Sequence, residues 1–222
     1  MAVPYEALET LSKTQQRARW QELILATQNG SCVFLDDPKA MCTYDIGRNV
    51  YEHIRNNRLV VYAVNKQAGL QFDHDVITYS YGSIRPYRDY LSNLLSSNIF
   101  QFYPITALWF DNDRTPDPDP LHVKKSEPEK EQENITMIDI FSHLMKYDLF
   151  SIDVMIMVNY SGRLDGGKVN IMFHKHLSAL AAAYNYTIEF LLTTQYRGKA
   201  FESGRASSAG PMWYEEIMLH KQ

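Results

Sequence analysis

The sequence predicts an α+β protein, a mostly antiparallel β-sandwich flanked by helices, with a long N-terminal helix able to project from the body. Two observations carry that expectation. With 222 residues, 45% of them hydrophobic and 22% charged, the chain has globular composition and the length of a single folded domain over residues 1–222. Its apolar, β-rich runs also arrive in groups, with helical patterns between only some of them, unlike the strict alternation of a doubly wound parallel sheet.

The elements follow in order. Residues 5–28 contain no interior Gly or Pro, and Gly30 stands where a helix C-cap falls, so a long helix is expected. Its ends carry Leu8, Leu11, Trp20, Leu23 and Ile24. Between them Ser12 to Arg19 is almost wholly polar and cannot be buried around its whole circumference. Ser31 to Leu35 reads as a strand, Asp36-Asp37-Pro38 as a turn, Ile46 to Asn57 as a helix, and Leu59 to Asn65 as a buried strand. Leu70 to Tyr81 is a further strand, Pro86 opens a helix to about Ser97, and Ile99 to Phe110 is strand-like.

Residues 111–133 hold eight acids, four bases, four prolines and almost nothing apolar, and read as an acidic surface loop. Thr136 to Tyr147 is an amphipathic helix and Phe150 to Tyr160 a strand buried on both faces. A glycine turn, Gly162 to Gly167, then leads Val169 to Phe173 back as a paired strand. His176 to Tyr184 is a helix, Tyr186 to Thr194 a last strand, and residues 198–210 a flexible Gly/Ser-rich segment.

Charge and composition bear on function class. Net charge is −4, and outside the acidic loop the two signs cancel, which suits association better than direct nucleic-acid readout. No apolar run has the length of a membrane span, and the N-terminus lacks a signal-peptide pattern, so a cytoplasmic protein is expected. Cys32 and Cys42 are too few for a disulfide scaffold and read as free thiols. Fifteen tyrosines supply large contact area at low entropic cost.

Catalytic signatures are sparse. His174 and His176 would face one side of a strand and could share a metal, but no third ligand has recognisable spacing. Asp73-His74-Asp75 could hold an oriented histidine, yet no nucleophile accompanies it. The Gly162 to Gly167 turn has neither phosphate-loop nor dinucleotide spacing. The enzymatic alternative is a small cytosolic enzyme with His74, or His174 and His176, in a pocket near that turn. A third alternative is a non-crystalline viral matrix or capsid protein.

Two stretches resemble cypovirus polyhedrin, the occlusion-crystal protein of insect reoviruses. One is Gly30-Ser31-Cys32-Val33-Phe34-Leu35 followed by Tyr44-Asp45-Ile46-Gly47 and a helix with Tyr51. The other runs from Phe150-Ser151-Ile152 through a glycine turn and Val169 to Phe173 to Tyr186-Thr187-Ile188-Glu189-Phe190-Leu191-Leu192. The resemblance implies a non-enzymatic structural protein, a trimer packed with copies of itself into crystals around virus particles in the infected cell's cytoplasm. It implies no required cofactor, nucleotide binding by analogy only, and a self-assembly role for the N-terminal helix through Leu8, Leu11, Arg17 and Trp20. Alkaline dissolution would then follow from tyrosine and lysine titration near pH ~10, with Tyr79, Tyr81, Tyr87 and Tyr90 as the pH switch.

Overall fold

The computed structural model describes residues 13–36, 41–64, 84–87, 91–111, 136–161, 168–196 and 212–222. The expected strand at 70–81, the loop over 112–133, the glycine turn at 162–167, the segment 198–210 and helix residues 5–12 lie outside them.

Seven strands form one sheet: β1 (Ser31–Leu35), β2 (Val60–Val64), β3 (Ile84–Tyr87), β4 (Ile105–Asp111), β5 (Phe150–Ser161), β6 (Tyr186–Tyr196) and β7 (Met212–Lys221). Their order is β3-β2-β1-β4-β5-β7-β6. The first five strands run parallel, and β7 enters antiparallel between β5 and β6. Helices α1 (Lys13–Ala26), α2 (Met41–Asn49) and α3 (Tyr51–Asn56) pack on one face; α4 (Leu91–Leu95), the short 3-10 turn Asn98–Gln101, α5 (Met137–Lys146) and α6 (Lys168–Ala183) complete the described helices. Two separate apolar cores, one built around Trp20, Ile46 and Ile54 and the other around Phe141, Phe173 and Leu177, fill the two sides of the sheet.

This is a mostly parallel, doubly wound α/β sheet, and it corrects the antiparallel sandwich expected from sequence. The physical reason lies in a few segments. Val169 to Phe173 does not pair back as a strand but forms the first turns of α6, where Phe173, Leu177 and Ala181 recur every four residues on the buried face. Pro86 does not open a helix; it sits in β3, which among the described residues is an edge strand paired with β2 alone, where a missing N–H is tolerated. Tyr186 to Thr194 is not the last strand, because Met212–Lys221 follows and lies inside the sheet. The first of these turns an apparent group of strands into strand and helix alternation, and the other two add strands to the sheet.

Residues 13–26 do not project from the body. Gln16, Trp20, Leu23 and Ile24, spaced i, i+4, i+7 and i+8, are buried against the sheet. The polar stretch is anchored too: Arg17 Nε donates to Asp45 at 3.0 Å, and Arg19 forks onto both oxygens of Glu216. Helix α5 begins with a reciprocal cap, Asp139 N–H donating to Thr136 Oγ1 at 3.1 Å and Thr136 N–H to Asp139 Oδ2 at 2.9 Å.

Candidate active site

In a doubly wound sheet, ligands bind outside the carboxyl ends of the strands, where the strand order reverses direction. Here that point lies between β1 and β4. Asp36 follows β1 and Asp111 ends β4, so two carboxylates flank the crevice. Asp36 is buried, and its oxygens accept the Cys42 N–H at 3.1 Å, the Thr43 N–H at 2.9 Å and the Thr43 hydroxyl at 2.5 Å. It therefore caps the first turn of α2, satisfying orphan donors and opposing the positive end of the helix dipole.

Behind the crevice, Asn159 on β5 donates its amide to Gln16 Oε1 and to Asp111 Oδ1, both at 2.8 Å. Its Oδ1 is buried without a hydrogen-bond partner among the described residues. The Cys42 thiol is pushed well up, by burial first and then by Asp36, with Asp45 and Asp111 adding and Arg17 opposing. Among the described residues, the carboxylates of Asp36 and Asp111 thus stand at the mouth of the crevice.

A second polar cluster lies on the other face of the same edge. Glu215 on β7 is fully buried. One oxygen, Oε1, receives the Tyr160 hydroxyl at 2.6 Å, His174 Nε2 at 2.9 Å and the Asn170 amide; the other, Oε2, is buried with no partner among the described residues. The His174 ring stacks on Phe190 with centroids 3.8 Å apart. Burial, then the charge of Glu215, holds the Tyr160 phenol far above its ordinary value, so it stays a donor. Tyr214 is raised similarly, by burial and by Glu216, to which it donates at 2.8 Å.

These shifts have a consequence for stability. Burial pushes the Cys32 thiol up to about 12 and the Tyr186 phenol up to about 12, and raises Cys42, Tyr160 and Tyr214 as well. The unfolded chain loses those protons at the ordinary values, ~8.5 for Cys and ~10 for Tyr, while the folded chain keeps them. The folded state then binds more protons, so unfolding free energy falls as pH rises above ~8. The urea midpoint is expected to drop steadily between pH ~8 and ~10.5. A flat midpoint over that window would contradict it.

Among the residues picked from sequence, the structure brings His174 into the Glu215 cluster and leaves His176 exposed. A helix rather than a strand carries them, so the two imidazoles do not share a face. Among the described residues no three His, Cys, Asp or Glu side chains group to hold a metal. Trp20 is buried within its own chain, Arg17 is paired with Asp45, and Tyr87 is partly buried on β3. His74, Leu8, Leu11, Tyr79, Tyr81 and Tyr90 lie outside the described residues. Cys32 and Cys42 are buried free thiols. Asp36, Asp111, Asn159 and Glu215 were missed. Glu215-Glu216 in the middle of an apolar run was the available signal, since two acids inside a buried strand demand partners.

No protein-family profile and no curated protein matches the sequence. Solved structures do match. The O-methyltransferase TomG from Streptomyces achromogenes, crystallised with SAM, aligns at a TM-score of 0.56 and 11% identity over 95% of this chain and 82% of that one. TYW2 from Pyrococcus horikoshii, with MeSAdo, aligns at 0.51 and 10% identity over 99% and 67%. A proposed RNA methyltransferase from the same organism aligns at 0.50 and 8% identity over 97% and 93%.

These neighbours overturn the polyhedrin resemblance. With it go the readings of a non-enzymatic crystal protein of viral occlusion bodies and of a chain needing no cofactor. The short Gly30 to Leu35 and Tyr186 to Leu192 matches are strands of a different sheet. Among the described residues no helix is long and apolar enough to cross a membrane. The fold is the Rossmann-like, mixed seven-stranded fold of methyltransferases.

Proposed function

We propose that this chain is a methyltransferase that uses S-adenosylmethionine, with the cofactor in the crevice between β1 and β4. The carrying observation is Asp36. In dinucleotide-binding sheets the helix after the first strand keeps its N-terminus open for a pyrophosphate. Here the Asp36 carboxylate occupies the Cys42 and Thr43 amides at that helix end. A phosphate would face Asp36 and Asp111 instead of free donors. S-adenosylmethionine carries no phosphate and bears a positive sulfonium, so the charge of the crevice suits it.

Asp36 and Asp111 are the described groups at the mouth that would meet such a ligand, and Asn159 behind them holds Asp111 through its amide. When bound, the sulfonium supplies an activated methyl group. The segment Leu35-Asp36-Asp37-Pro38-Lys39-Ala40-Met41 contains no glycine, so recognition falls on side chains rather than on a glycine turn. Calorimetric titration tests this. S-adenosylmethionine and S-adenosylhomocysteine are expected to bind and raise Tm by mass action, whereas NAD does not. Asp111→Asn weakens the sulfonium form about tenfold, ~1.4 kcal/mol, and the uncharged homocysteine form less. Binding of NAD alone, or of none of the three, would sink the reading.

A further inference from the structure

A fully buried carboxylate is costly unless its partners satisfy it. Glu215 gathers three donors on one oxygen, and of these His174 alone carries a second ring nitrogen able to take a proton, with 28% of its side chain exposed. An ionised carboxylate only accepts. Nε2 lies 2.9 Å from Glu215 Oε1 and 3.2 Å from the Asn170 amide nitrogen, which itself sits closer to that oxygen; a ring proton on Nε2, facing the carboxylate, leaves the lone pair on Nδ1. That nitrogen has no partner among the described residues. Stacking on Phe190 at 3.8 Å fixes the ring plane.

Register sets this pair at the same carboxyl edge as the crevice, on the opposite face of the sheet. Glu215 pairs with Val158 on β5, and Val158 pairs with Phe110, the residue before Asp111 on β4. Two inter-strand steps make that about 10 Å. Tyr160 remains protonated and cannot take a proton itself.

We propose that His174 is a proton acceptor held in its working tautomer by Glu215, and that the methyl acceptor is a neutral O–H or N–H group. This rests on the methyltransferase reading. The acceptor's proton moves to Nδ1 as its oxygen or nitrogen takes the methyl, and the C–S electron pair stays on sulfur. Glu215 acts through His174 and is a positioning residue.

Three readouts on the full chain test it. Nitrogen NMR of histidine-labelled protein at neutral pH should show His174 as the Nε2–H tautomer; the Nδ1–H tautomer would overturn the dyad without any variant having to fold. Diethyl pyrocarbonate should acylate His174, and Glu215→Gln should slow that about tenfold while His176 is unchanged; equal rates in both proteins would overturn the role of Glu215. In fluorine NMR, 4-fluorophenol or 4-fluoroaniline should bind saturably, 4-fluoroanisole should not, and His174→Gln should abolish binding. Failure of both donors to bind would overturn the acceptor class. None of these readouts uses S-adenosylmethionine, so failed cofactor binding would overturn the methyltransferase reading alone.

Discussion

Trp20→Ala is expected to destabilise the folded chain by about 4 kcal/mol, lowering Tm by roughly 10 °C for a domain of this size. Trp20 is the main apolar anchor of α1. It is 0% exposed, and its ring lies 5.9 Å from both Phe34 on β1 and Trp109 on β4. Much of the rest of α1 is polar, so truncation leaves a cavity over the two strands that flank the crevice, and little else can collapse into it. Its indole N–H is buried without a partner among the described residues. Trp20→Phe therefore removes an unsatisfied donor along with some volume and costs less than half as much. Urea denaturation of both variants checks this. A Trp20→Ala loss below ~1 kcal/mol would show that α1 is not held through this ring. An effect on self-association with no change in stability would return Trp20 to the contact role first expected for it.

Gly30→Ala is expected to cost about 3 kcal/mol, combining left-handed backbone strain with overpacking. Gly30 has φ of +90°, and a Cβ built there would stand 2.6 Å from Pro104 O and 2.7 Å from Thr106 Cγ2. Neither neighbour can yield easily. Pro104 O accepts the Ser31 N–H at 2.9 Å, Thr106 Oγ1 donates to Ser31 O at 3.1 Å, and Gly30 O accepts the Val60 N–H at 3.2 Å. The residue is thus pinned between β2 and β4 at the start of the central strand. Because β1 carries Asp36 at its far end, Gly30→Ala should also weaken cofactor binding through a shifted strand. Thermal melts with and without S-adenosylhomocysteine separate the two effects. An unchanged Tm would mean that Pro104 moves freely.

Much local structure was legible from pattern alone. Ser31 to Leu35, Leu59 to Asn65, Thr136 to Tyr147 and Phe150 to Tyr160 all fall within a few residues of their observed elements, because hydrophobic period and turn residues act over short range. The strand expected to be buried on both faces, Phe150 to Tyr160, is largely so from Val154 onward, while Ile152 and Asp153 are exposed, and that apolar run was a parallel-sheet signature. Against it stood Val169 to Phe173, whose β-branched and aromatic residues outweighed the i, i+4 spacing of Phe173, Leu177 and Ala181. Propensity is a weak prior that tertiary packing overrides.

The candidate site was far less legible. His174 was noticed, but on a presumed strand, where it pointed to a metal with His176. Only the helix that carries it, and the insertion of β7 between β5 and β6, set it against Glu215, 41 residues away. The Asp36 cap and the Asp111–Asn159–Gln16 chain likewise join residues as much as 143 positions apart. Composition, period and spacing determined many of the strands and helices, since those preferences are local, though not Val169 to Phe173 or Pro86. Strand order, direction and the convergence of Asp36, Asp111, His174 and Glu215 on one edge were decided in tertiary structure alone. They follow from which apolar faces bury one another, and no local pattern encodes that.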